Sequence, residues 1–472
     1  MNLFDELKTL DGVLPMHMPG HKRNFVKFPW LRELGGEFDI TEIEGFDDLH
    51  DPDGLILDIN RRAAALWGSR QAFLTVNGST GGIFAAIAAA VPAGGRVLVA
   101  RNCHRSVFNA ASALRLQTEY VVPPVVSGFG IFGSVTPEAV DRALREKPCH
   151  AVVVTSPTYE GVMSDVRGIA EVCAMHGALL VVDGAHGAHL GLSDAFPDGG
   201  TGEDADIVVQ SLHKTLPALT QTAIVHIASH RIHPEKLAEK LSVFVTSSPS
   251  YVLMAGAAKL MEYLEKEGRE QLEAFARDLE RFRREARQSK ALRLLGEEDG
   301  KIPEIFKFDQ SKLYFDTLNC AYGGYELKSL LRKECGIELE GATSRGVLAY
   351  ATVGDDAGTL SRLRDGLMRF DKASSAPASH RFSAAFDAGE KVCEIFDADS
   401  ASRVVPLHKA VGKVSAEAVW IYPPAVPVLL PGERVTGVVV ELVSKVAADG
   451  GKVMSTAKNA PDSLAVLLRN FP

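Results

Sequence analysis

Short runs of β-branched residues, separated by longer stretches of helical spacing, dominate the first half of the chain. Arg96 to Ala100 (RVLVA), Ala151 to Thr155 (AVVVT), Leu179 to Asp183 (LLVVD) and Ile207 to Gln210 are apolar runs with no polar alternation. That is the pattern of strands buried on both faces. Leu57 to Trp67, Gly81 to Ala90, Ser106 to Ala113 and Gly168 to His176 carry helical spacing. Strands alternating with helices predict an α/β architecture with a mostly parallel sheet. Past Pro234 the pattern turns helical: Tyr251 to Lys266 predicts one helix, and Arg269 to Ser289, dense in alternating charge, a long exposed one. Lys312 to Leu318 and Val347 to Val353 predict strands around a helix at Tyr325 to Cys335, a smaller α+β unit. Asp371 to His380 (DKASSAPASH) has the composition of a linker. Beyond it come AEAVWIYPPAVPVLL and an expected strand from Val435 to Leu442. The expected organisation is an arm over 1–35, a large domain over 36–294, a small α+β domain over 295–370, the linker 371–380 and a C-terminal domain over 381–472.

Composition narrows the classes. At 472 residues, two or three domains are expected. The chain is 46% hydrophobic and 24% charged, values of a globular protein, and no apolar run reaches membrane-spanning length. The N-terminus MNLFDELKTL carries acidic residues and has no apolar signal core, so a cytoplasmic location is expected. Six cysteines without a CxxC pair favour free thiols over a disulfide framework or a zinc site. A net charge of −9 without a basic block argues against nucleic-acid binding.

Candidate chemistry gathers where the predicted strands end. The run Ile207–Gln210 stops in Ser211, His213 and Lys214. In open α/β sheets, strand ends present ligand-binding groups. A lysine there is either a solvated cation or the amine of a Schiff base with a carbonyl compound. VNGSTGGIFAAIAAA runs Gly78, Ser79, Thr80, Gly81 and Gly82 into a helix, an anion site or else a simple N-cap. It fits neither the Walker pattern nor GxGxxG. Asp183 ends LLVVD and is followed by Ala185, His186 and Gly187. A carboxylate there can hold a protonated pyridine nitrogen, cap a helix, or, with His186 and His189, ligate a metal that lacks an evident third ligand. His104 follows RVLVA as a possible ring-stacking group, and TSPTYEGV puts Thr158, Tyr159 and Glu160 after AVVVT. A phosphate site, a stacking base, a pyridinium partner and a Schiff-base lysine are together the parts of a pyridoxal-phosphate site.

These segments resemble the ornithine/lysine/arginine decarboxylase family of fold-type I pyridoxal-phosphate enzymes. The matching pieces run nearly the whole chain in order: MPGHK, DITEIEGFDDLHDPDG, NGSTGG, RNCHRS, SPTYEGV, DGAHG, SLHKTLPALTQ, TSSPSY and YPPAVPVLLPGE. The likeness is to the short form, without an N-terminal receiver-like domain. It implies an aspartate-aminotransferase-like large domain that binds pyridoxal 5′-phosphate, followed by smaller α+β C-terminal domains. By the same resemblance Lys214 is the Schiff-base lysine and Asp183 the partner of the ring nitrogen, with His104 stacked on one ring face and Ala185 against the other. Ser79, Thr80, Ser211 and, from a second subunit, Ser247 bind phosphate, and Gly78 is among the cofactor-binding residues. Thr158 and His186 adjoin the cofactor, and His213 lies near the phosphate or the reacting carbon. A homodimer or larger ring with interfacial sites is implied. The reaction implied is α-decarboxylation of lysine, arginine or ornithine to an amine of the polyamine type. Lys214 or His213 then returns the proton, and Glu340, Asp47 or Asp48 pairs with the distal cation. The family commonly has Glu at Gly184 and, after SPSY, Ser and Asp where Gly256 and Ala258 stand; IELEGATSRG also departs from the usual pattern. These changes leave aminotransferase or lyase chemistry, or a homologue with an altered substrate, as alternatives.

Overall fold

A computed structural model describes residues 2–202, 204–296, 302–374, 388–398, 400–423 and 425–468. The chain divides into two compact units, Met1–Ala90 with Leu179–Ala274, and Val91–Ala178 with Phe275–Pro472.

The first unit contains four strands in the order Gln71–Thr75, Ala223–Ile227, Ile207–Ser211, Leu179–Asp183. Leu179–Asp183 and Ile207–Ser211 pair in parallel, with Asp183 opposite Val209. Ala223–Ile227 runs antiparallel to both its neighbours and sets Ala223 opposite Ser211 and Thr75. The carboxyl ends of three strands and the start of the fourth therefore share one rim. Every residue of Ile207–Ser211 and Ala223–Ile227 is buried, as expected for strands covered on both faces. The helix Gly78–Ala90 covers one face and approaches closely because Gly82 has no side chain. A Cβ there would lie 2.8 Å from Val225 Cγ2 and 2.9 Å from Val209 Cγ1. Helices Leu55–Trp67, Pro234–Phe244 and Tyr251–Tyr263 complete the packing.

The second unit carries the parallel strands Ala151–Thr155, Arg96–Ala100 and Gln117–Val121, in that order. Helices Arg105–Ala113 and Pro137–Glu146 lie between them in sequence, and Val166–Met175 follows Ala151–Thr155. Four antiparallel strands follow in the order Gly341–Ala342, Gly346–Tyr350, Lys312–Asp316, Arg293–Leu294, with helices Gly324–Cys335 and Ala357–Arg369. Toward the C-terminus, Val426–Leu429, Val419–Tyr422 and Lys452–Ser455 form a three-stranded sheet, and Ser402–Pro406 pairs with Ser463–Leu467.

Two expectations are corrected. Val435–Leu442 is not a strand; the segment Gly437–Ala448 is a helix. Thr436 caps it by accepting from Val439 N, and Val439, Val443 and Val446 recur on its buried face. The helix Arg269–Ala286 is not simply exposed, since it buries Leu272, Phe275, Leu279 and Phe282. Strands Gln71–Thr75, Gln117–Val121 and Ala223–Ile227 were not anticipated. Most of the expected linker, residues 375–380, lies outside the described residues.

Candidate active site

The site is built at the rim of the first unit. Ile207–Ser211 runs directly into a one-turn helix, Leu212–Thr215, so His213 and Lys214 project where the strand ends. Lys214 Nζ lies 3.0 Å from His186 Nε2, and His186 is carried by the turn that follows the parallel neighbour Leu179–Asp183. That turn is held by Gly184 N donating to Val209 O and by Gly187 N donating to Gly184 O. The parallel register, rather than sequence proximity, thus brings lysine and histidine together.

Asp183 is buried, and burial pushes its carboxyl above the usual range, while Lys214 and the Ala185 N–H pull in the opposite direction. Ala185 N donates to Asp183 Oδ1 at 3.2 Å. His213 donates from Nδ1 to Thr222 O at 3.0 Å, which leaves its Nε2 the lone pair. Burial moves His213 below the ordinary histidine value, the Thr222 hydrogen bond opposes this, and the Lys214 charge adds to it.

A polar cradle lies at the same rim. Gly78 takes a φ of +66°, its N–H donates to Gln221 O, and Ser79 and Thr80 open the helix Gly78–Ala90 with hydroxyls in its first turn. Ser211 is fully buried, and its Oγ has no hydrogen-bond partner among the described residues; the same holds for Thr215 Oγ1. Buried hydroxyls without partners are costly, and an anion at a helix start would satisfy them. Asn77 Oδ1 accepts from Thr246 N, which fixes the exposed Ser247 beside this helix start. His50 Nε2 donates to Thr246 O, so the loop bearing Asp47 and Asp48 adjoins as well.

The three carboxylates expected to meet a distal cation differ. Asp47 accepts from the backbone N–H groups of Asp48, Asp53, Gly54, Ile56 and Leu57, which occupies both its oxygens in shaping the loop before the helix Leu55–Trp67. Asp48 accepts from His50 N. Glu340 belongs to the second unit, where it is exposed and accepts from Tyr159 OH at 3.0 Å. His104 and Thr158 also lie in the second unit, after Arg96–Ala100 and Ala151–Thr155. His104 Nδ1 accepts from Ser106 N and caps the helix Arg105–Ala113, and the Thr158 hydroxyl donates to Glu160 Oε2 and accepts from Val162 N. Among the described residues, no group of three or more His, Cys, Asp and Glu side chains could hold a metal ion.

Sequence reasoning missed Trp67, Gln210 and His226, which bond to the Gly184–His189 turn or to each other. The available signal was a polar residue inside an apolar strand run, Gln210 in IVVQS and His226 in AIVHI, which demands a buried partner.

The profile of the Orn/Lys/Arg decarboxylase major domain matches residues 15–350, and that of the family's C-terminal domain matches residues 391–448. The arginine decarboxylase of Bacillus subtilis is 29% identical over 429 residues, spanning 89% of this chain and 88% of the relative. The uncharacterized protein YaaO of the same organism is 31% identical over 468 residues, 96% and 95% of the two chains. Among solved structures, the lysine decarboxylase LdcF of Francisella novicida superposes with a TM-score of 0.84 at 18% identity, covering 98% of this chain and 81% of that one. The fold is that of fold-type I pyridoxal-phosphate enzymes, as the sequence led one to expect. The chain belongs to the Orn/Lys/Arg decarboxylase family, a family of pyridoxal-phosphate-dependent carboxy-lyases.

Proposed function

We propose that the protein removes the α-carboxylate of a basic amino acid (lysine, arginine or ornithine) as CO₂ and releases the corresponding amine, with pyridoxal 5′-phosphate bound at the rim described above. The observation that carries this reading is Lys214 Nζ held 3.0 Å from His186 Nε2, on a turn flanked by Asp183 and the buried Ser211 Oγ. The residues fit the cofactor. Ser211, Ser79, Thr80 and the start of the helix Gly78–Ala90 supply hydroxyls and amides for a phosphate. Asp183, buried and costly as a lone anion, would gain a counter-charge from a protonated ring nitrogen. The pyridoxal group supplies a carbonyl for the substrate amine and a ring that accepts the electron pair left when CO₂ departs.

The chain supplies the rest. Lys214 would hold the cofactor and yield its place to the substrate amine. His186, at hydrogen-bond distance, takes or returns the Nζ proton in that exchange. His213 keeps a lone pair on Nε2, because Nδ1 is committed to Thr222 O and burial favours the neutral ring. It or Lys214 delivers the proton to Cα after CO₂ loss. By the family resemblance Ala185 would serve one ring face and His104 the other, Thr158 would adjoin the ring, and Ser247 would serve the phosphate of a neighbouring subunit in a homodimer or larger ring. Glu340 and Asp48 are better suited than Asp47 to a distal cation, because Asp47 is spent on five backbone amides. Among the described residues no helix is long and apolar enough to cross a membrane, and a cytoplasmic location is part of the proposal.

The test is a panel of lysine, arginine and ornithine with CO₂, amine and keto acid all measured. We expect amine and CO₂ in equal amounts from at least one of the three. Keto acid in place of CO₂ would replace this reading with transamination. Lys214→Ala is expected to lose the cofactor's visible absorbance and at least about a thousandfold in kcat; absorbance retained in that variant would refute the lysine assignment.

A further inference from the structure

Gln210 and His226 sit on neighbouring antiparallel strands, with Val208 opposite His226 and Gln210 opposite Ile224, so both point to the same sheet face. Both are fully buried on strands whose other residues, apart from Ser211, are Val, Ile and Ala. Gln210 Nε2 donates to Gly187 O at 3.4 Å, which assigns Gln210 Oε1 as the acceptor from His226 Nε2 at 3.2 Å. His226 Nδ1 is then the acceptor for Ser69 Oγ at 2.9 Å. Burial pushes His226 down to about 3, so the ring stays neutral and keeps one donor and one acceptor. The Trp67 ring lies 5.5 Å from His226, centroid to centroid, and its Nε1–H donates to Ala188 O at 3.0 Å. Two side-chain donors from separate elements therefore converge on the two successive carbonyls that follow His186.

We propose that Trp67, Gln210 and His226 are positioning residues, a buried platform that fixes the Gly187 and Ala188 carbonyls and through them the approach of His186 Nε2 to Lys214 Nζ. The inference deepens the reading of Lys214 as the cofactor lysine and rests on it. A sheet face filled with valine would bury as well and desolvate no polar atoms; the polar set makes sense as a device for orientation. Gly184, where the family commonly has Glu, belongs to the same arrangement: a Cβ there would lie 3.3 Å from Val208 Cγ1 and 3.5 Å from Gln210 Cγ.

Trp67→Phe removes the N–H and keeps a ring. The pair Gln210→Met with His226→Leu removes the relay without leaving a buried polar atom behind in it. In holoenzyme each is expected to lower kcat about tenfold with KM held within about twofold, because a displaced His186 acts on the exchange step rather than on substrate affinity. In cofactor-free protein, the ¹⁵N resonance of His186 Nε2 is expected to move in both variants, while the melting temperature of the double variant stays near that of the parent. An unmoved His186 resonance, or parental kcat in the double variant, overturns the platform. A parent protein that decarboxylates none of the three amino acids overturns the functional reading alone, and the His186 resonance then decides the platform by itself.

Discussion

Burying a single polar group has consequences that can be measured one residue at a time. His226 is fully buried and held near 3, against an ordinary value of 6.5. The unfolded chain therefore binds a proton at this histidine between those two values and the folded chain does not. Stability is fully present above about pH 6.5 and is lost as pH falls toward 3, with a slope of about 1.4 kcal/mol per pH unit from this group. Thermal unfolding followed across that window should show the slope, and His226→Leu should flatten it; an unchanged slope in the variant would assign the acid sensitivity elsewhere. The same contrast marks what could be seen without coordinates. Lys214, Asp183, Ser79, Thr80 and Ser211 were legible because each stands at a strand end or a helix start, where the neighbouring pattern says which way the chain has just run. Gln210 and His226 were not. A polar residue in an apolar run declares that a partner exists, but the partners, Gly187 O and Ser69 Oγ, are long-range contacts created by strand register. Asp47 was legible as a carboxylate and not as a loop organiser, since five backbone amides pointing inward leave no trace in composition.

The helix Gly78–Ala90 shows why the element, and not only its residues, makes the proposed phosphate cradle. Nearly every position is Gly, Ala or Ile, so it has no polar face and lies deep against the strands. Gly82→Ala tests that closeness. Alanine should favour the helix by about 1 kcal/mol, yet its Cβ would sit within 2.9 Å of two valine methyls on buried strands. Overpacking of this kind costs about 1–3 kcal/mol and wins. We expect a lower melting temperature and weaker pyridoxal-phosphate retention on dialysis, because displacing the helix moves Ser79 and Thr80 with it. A melting temperature at or above the parent's would show that the helix has room to shift. Element type was legible here from small residues followed by an apolar run. It was misread at Gly437–Ala448, where VVV suggested a strand. The spacing of Val439, Val443 and Val446 after the Thr436 cap carried the helical signal, but β-branched content outweighed it.

At the scale of the molecule, the C-terminal segment is tied into the second unit by charge as well as by its own core. Arg101 follows the strand Arg96–Ala100 and is fully buried; its Nε and Nη2 meet Glu433 Oε1 and Oε2 at 3.0 and 2.9 Å. Nη1 donates to Pro427 O, and Leu430 N donates to Glu433 Oε2, so the pair also pins the turn beyond Val426–Leu429. Phe108 and Tyr120 lie under the guanidinium, at 5.5 and 5.9 Å from their ring centroids. An isolated buried pair is weak evidence of net stabilisation, because desolvation of both ions offsets their attraction. Removing one member is another matter, since it leaves the other charged and enclosed. Glu433→Gln should cost about 3–5 kcal/mol, whereas replacing both residues with apolar ones, Arg101→Met with Glu433→Leu, should recover most of that loss. The loss should also be local. Hydrogen exchange should quicken across residues 400–468, where the strands Val419–Tyr422, Val426–Leu429 and Lys452–Ser455 depend on the turn, while Ile207–Ser211 keeps its protection. Uniform quickening over both segments would mean that the pair supports the whole fold and not this one attachment.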